Sequence, residues 1–159
     1  MSDPFEKTSN SELGKLTALK VPPHSVDAEQ AVLGGLMLDN TEWDNIADVI
    51  VAQDFYRPEH QLIFSIMSQQ NETSNPIDVV TLVGALSSLN ELETAGGLDY
   101  LSELSGNARG TANIHAYAEI IRERAILRRL IGVANSIANT GYNTLGRKSA
   151  EILDEAEQK

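Results

Sequence analysis

Apolar residues recur along most of this chain at intervals of three and four, the spacing that lines one face of an α-helix. After the extended stretch Val21-Pro22-Pro23-His24, Val26, Leu33, Leu36 and Met37 share a stripe. Ser25 is placed to cap that helix, with Asp27 and Glu29 in its first turn, where the helix dipole favours carboxylates. Gly34 and Gly35 lie inside it at a cost on the order of 1 kcal/mol each relative to Ala. A second helix crossing closely there, or a kink, accounts for them. Asp39-Asn40-Thr41 turns the chain into a helix carrying Trp43, Ile46, Ala47 and Ile50. Pro58 opens a third, with Leu62, Ile63, Ile66 and Met67. Asp78 caps a fourth, with Val79, Leu82, Val83, Leu86 and Leu89 facing inward. Gly96-Gly97 precedes a short fifth bearing Leu98, Leu101 and Leu104, which ends before the loop Ser105–Gly110. No segment alternates apolar and polar residues long enough to read as a strand.

From about Thr111 to Asn139 one uninterrupted pattern predicts a helix of roughly 29 residues, about 43 Å long, with Thr140-Gly141 as its C-cap. Ile120, Leu127 and Ala134 repeat every seven residues, and Leu130 and Ile137 repeat beside them, a coiled-coil-like seam. Arg122, Arg124, Arg128 and Arg129 surround it, within reach of Glu119 and Glu123 for pairing along the helix surface. After residues 141–148, Ser149 caps a last helix containing Ile152, Leu153 and Ala156, so the C-terminal third forms an antiparallel hairpin. The expected fold is therefore all-α. A flexible tail over residues 1–20 leads into a compact helical bundle over 21–110 and then a protruding hairpin over 111–159. The last helix runs into Lys159 with no cap or breaker, as a piece cut from a longer protein would.

Charge sharpens this picture. Residues 21–108 carry fourteen acids and one base, Arg57, a net −13, whereas residues 109–159 carry eight bases and six acids. Nucleic-acid affinity rests on Lys and Arg displacing counterions, so the bundle is a poor duplex binder. Its acids are either a solvated surface or a docking face for a basic partner. There is no cysteine, which excludes a disulfide framework and a thiolate metal site. No apolar run approaches the roughly 20 residues of a membrane span. The N-terminus lacks an apolar signal core, and a cytoplasmic location is expected.

The search for chemistry gives little. Gly141-Tyr-Asn-Thr-Leu-Gly146-Arg147-Lys148-Ser149 approximates a phosphate-binding loop, but Arg147 stands at the lysine position and a helix, not a strand, precedes it. A turn between helices explains those residues better. His24, His60 and His115 have no metal-ligand spacing and read as surface or cap histidines. The carboxylates have no evident His or Lys partner for acid–base work. No catalytic, cofactor-binding or metal-ligating residue is assigned.

The chain closely resembles the N-terminal domain of DnaB-type replicative helicases. The resemblance rests on VPPHSVDAEQAVLGGLMLDN (21–40), DFYRPEHQLIF (54–64), PIDVVTL (76–82), GGLDYLSELS (96–105) and ANIHAYAEIIRERAILRRLI (112–131). It implies a helical globule followed by a hairpin. Hairpins pair, and three such dimers build a collar on a hexameric ring that docks primase and is engaged by a helicase loader. ATP and Mg²⁺ bind in a separate RecA-like motor domain, which also supplies the nucleic-acid contacts. The motor domain is absent from this sequence. The expected self-pairing surface is Ile120, Leu127, Leu130, Ile131, Ala134 and Ile137. Two rivals remain open. A free-standing adaptor or loader-like protein would have a stop codon after Lys159. A nucleic-acid module using the Arg122–Arg129 cluster would bind single strands tightly at low salt.

Overall fold

The structure, a computed structural model, describes residues 20–108 and 110–159. Except for Lys20, the expected tail lies outside the described residues. All the regular structure described is helical: α1 (Val26–Leu38), α2 (Trp43–Ile46), α3 (Pro58–Glu72), α4 (Val79–Ser88), α5 (Gly97–Gly106), α6 (Ile114–Tyr142) and α7 (Ser149–Gln158). Single 3-10 turns at Asn40–Glu42 and Ala52–Asp54 separate the early helices.

The local signals act where the sequence places them. The Ser25 hydroxyl accepts the Ala28 N–H at 3.2 Å, the Asp78 carboxylate accepts that of Thr81 at 2.8 Å, and Pro58 is the first residue of α3. Four expectations need correction. The helix expected over Trp43–Ile50 is a 3-10 turn plus four α-helical residues, although the Ile50 N–H still reaches the Ile46 carbonyl at 3.2 Å. Leu89 does not face inward: it is 54% exposed. α6 passes through Thr140-Gly141 and is closed at Asn143, because Gly141 keeps a helical conformation and bonding continues from the Asn143 N–H to the Asn139 carbonyl. Ser149 is the first residue of α7, and the cap position belongs to Lys148.

α1 runs through the centre of the globule, flanked by α5 and α6. Its glycine pair is the crossing point. A Cβ on Gly34 would collide with the Leu104 carbonyl at the end of α5, and one on Gly35 would lie 3.0 Å from Ile114 Cδ1 at the start of α6. Val32, Leu33, Leu36, Ile46, Phe55, Ile63, Met67, Leu82, Leu86 and Leu101 fill the core. The first half of α6 belongs to that core through Ile114, Ala118 and Ile121. Asn40 ties the opposite edge: its amide donates to the Leu36 and Ile77 carbonyls at 2.8 and 2.7 Å and accepts the Ile77 N–H at 2.8 Å. The second half of α6 leaves the globule, and α7 folds back along it.

Candidate functional site

The residues expected to pair are not one continuous seam. Ile120 packs against the globule's own core. Ile137 sits in a crevice with Ile152 and Ala156 of α7. Leu127 is half-buried, while Leu130 is 62% exposed, Ile131 is 45% exposed and Ala134 is exposed. Both ends of the heptad pattern are thus used internally, and its middle is open.

Helical geometry explains the division. Ile114, Ala118, Ile121 and Ala125 are the buried residues of α6 and define the face turned to the globule. Leu130 lies five positions beyond Ala125 and is therefore rotated by about 140° from it. Ile126, Leu130 and Ala134 form a row at four-residue spacing beside Leu127 and Ile131. Ile126, 42% exposed, was missed because it falls outside the seven-residue repeat, although its four-residue spacing to Leu130 was readable.

Arginines fix this ridge relative to the globule. Asp54, 1% exposed, accepts the Val51 N–H at 2.9 Å and pairs with Arg122 at 3.3 Å, with Arg129 at 4.0 Å. Arg128 donates to the Pro23 and Asp54 carbonyls at 2.7 and 2.6 Å, and its guanidinium lies 5.5 Å from the centre of the Tyr56 ring. The expected pairing of these arginines with Glu119 and Glu123 is replaced by bonds to the 51–54 turn. Glu119 instead faces His115 at 3.6 Å. Arg122, Arg128 and, more distantly, Arg129 are thus directed to the globule.

A second correction concerns His60. It is fully buried, its Nδ1 lies 2.7 Å from Glu29 Oε1, and its Nε2 lies 2.5 Å from the Tyr100 hydroxyl. The imidazole thus bridges the Glu29 carboxylate and the Tyr100 hydroxyl through its two ring nitrogens. Glu29 also accepts the N–H groups of Tyr56 and Arg57 at 2.9 and 3.3 Å. Gln30 donates to the Tyr100 oxygen at 3.2 Å. Partial burial pushes the Tyr100 hydroxyl above its ordinary range, against the opposing pull of the Gln30 bond. The partner that sequence reading could not find for Glu29 is 31 residues away. Glu–His–Tyr is a chain of groups able to relay a proton, yet Glu29 and His60 are sealed in the core. The network binds α1, α3 and α5 together. Among the described residues, no group of three or more His, Asp or Glu is arranged to hold a metal, and no helix is long and apolar enough to cross a membrane.

A helical globule whose polar clusters serve as internal ties, and which carries an open apolar row on a projecting hairpin, has the form of an interaction module. A family model described as the DnaB-like helicase N terminal domain matches residues 21–123. The chain belongs to that family. It is 48% identical to the replicative DNA helicase DnaB of Haemophilus influenzae over 158 residues, which is 99% of this chain and 33% of the relative. It is 54% identical to that of Buchnera aphidicola subsp. Schizaphis graminum over 94% of its length. The crystal structure of the N-terminal domain of DnaB helicase from Mycobacterium tuberculosis superposes with a TM-score of 0.79 at 33% identity, covering 86% of this chain and 96% of that one. The corresponding Helicobacter pylori domain, described with its interactions with primase, gives a TM-score of 0.61 at 27% identity over 72% of this chain and 89% of that one. The chain spans about a third of the length of the curated relatives it matches.

Proposed function

We propose that this chain is the N-terminal collar domain of a cytoplasmic, hexameric replicative DNA helicase. Its hairpin pairs with that of a neighbouring subunit, and three such pairs form the collar. The globule is a docking surface for primase, and the assembled ring is engaged by a helicase loader. ATP with Mg²⁺ and the nucleic-acid strand are handled by a RecA-like motor domain of the parent protein. The observation that carries the reading is the open row Ile126, Leu130 and Ala134, flanked by Leu127 and Ile131. Burying it gains roughly 25 cal/mol per Å², offset by lost rigid-body freedom, so association strengthens as the protein is concentrated. The published description of primase interactions for the Helicobacter pylori relative supports the docking role.

Sedimentation across micromolar concentrations tests the pairing. The wild type self-associates, whereas Leu127→Asp and Leu130→Asp stay monomeric with unchanged helicity. A wild type that sediments as a monomer throughout removes the pairing claim. Mixing with the C-terminal region of primase tests docking, with complex formation by gel filtration as the expected result.

A further inference from the structure

The globule also carries a groove with an apolar floor and partly polar walls that uses none of the ridge residues. The groove, of about 470 Å³, runs between the segment from α2 to Gln53 and the C-terminal half of α3. Trp43 and Phe64, stacked at 5.0 Å and 7% and 3% exposed, lie at its base with Ile50. The groove stays open because its walls present small side chains, Ala47 and Ala52 facing Ser65 and Ser68. Along α3 it extends from Phe64 to Glu72, about 12 Å or two helical turns. Val51, at its lip, is 51% exposed.

Its charge has one sign. Glu72 lines the groove, and Asp44 of α2 and Asp48 in the turn that follows it are exposed nearby. Among the described residues, no Lys or Arg lines it. Arg57, the one base in residues 21–108, sits at the opposite end of α3 and pairs with Glu59 at 3.6 Å. A second copy of this chain, at a net charge of −11, is a poor occupant of a groove flanked by carboxylates.

We propose that this groove docks a basic amphipathic helix of a partner protein. Apolar residues at i, i+3 or i+4, and i+7 on the incoming helix occupy the space left by Ala47, Ser65 and Ser68, as in other helix-in-groove complexes. Lysines or arginines on its flanks face Asp44, Asp48 and Glu72. The proposal stands whether or not the hairpin pairs.

Trp43 is the chain's one tryptophan and lines the groove, so its emission reports occupancy. The probe is a synthetic amphipathic Leu/Lys helical peptide, titrated into the full chain beside a scrambled peptide of the same composition. The expected result is a saturable one-to-one change in Trp43 emission, weakened by salt and much smaller with the scrambled peptide. Ala47→Phe and Ser68→Phe, both at positions with room for the ring, weaken binding by about tenfold, the effect of occluding an anchor pocket. Glu72→Lys weakens it too, and Leu130→Asp leaves it unchanged. Equal binding of the scrambled peptide, equal binding by both filled-groove variants with native helicity, or no change in emission overturns the proposal. Loss of binding in Leu130→Asp also overturns it and assigns the effect to the hairpin.

Discussion

Gly34 and Gly84 are both helix-interior glycines, and alanine acts on them with opposite signs. A methyl on Gly34 meets the Leu104 carbonyl, whereas one on Gly84 meets nothing within 4 Å. Gly34→Ala is expected to destabilise by about 2 kcal/mol through overpacking. Gly84→Ala is expected to stabilise by about 0.5–1 kcal/mol, because helix formation costs alanine less backbone entropy. Urea unfolding of the two variants measures both. The Glu29 site is the other residue-scale test. Glu29→Ala strands a buried imidazole and two N–H groups, a loss of about 3–5 kcal/mol. Glu29→Gln keeps a hydrogen-bond partner for His60 Nδ1 and costs less, and both are read from the urea midpoint at unchanged slope. The Gly34-Gly35 crossing was legible in the sequence because a glycine pair inside an apolar helix lacks a local reason. Glu29 and Asp54 were not legible. Nothing local separates these two buried acids from the twelve others in residues 21–108, since their partners lie on α3 and α6.

At the scale of elements, capping and periodicity decide most of what forms. Ser25, Pro58 and Asp78 mark helix starts that the structure keeps. The ends that shifted, at Ile46 and Tyr142, have no Pro or left-handed glycine in the next residue to stop the chain. The short hairpin helix α7 has a different support. Glu155 is held below the ordinary carboxylate range, first by the hydrogen bond from Arg147 and then by that residue's charge, with Lys159 adding to it. A carboxylate depressed in the folded state contributes stability that is present above its unfolded value and is lost as the pH falls through its folded value. α7 therefore loses helical stability in acid. NMR secondary shifts over Ala150–Ala156 should show that loss in the wild type as the pH falls below the carboxylate range. Glu155→Gln should be loosened already at neutral pH and change little on acidification.

For the molecule as a whole, the all-helical architecture and the projecting hairpin were readable from spacing alone, as a 29-residue helix is longer than a domain of this size can cover. Which face of that helix stays open was not readable. The heptad pattern sums two demands, burial against the globule near Ile120 and exposure around Leu130, and only the rotation between them separates the two. The arginine bonds to the 51–54 turn were hidden for the same reason, as they join segments some 70 residues apart.

One helix supplies both the core residues Ile114, Ala118 and Ile121 and the open row beyond Ala125, so the two regions share a single rigid rod. The proposed mating of two such rods would draw on the folded form alone and shift the unfolding equilibrium by mass action. The melting temperature of the entire globule is thus expected to climb with protein concentration, and in Leu130→Asp it should become independent of dilution. Differential scanning calorimetry over a concentration series would read partner capture as heat resistance at sites far from the contact.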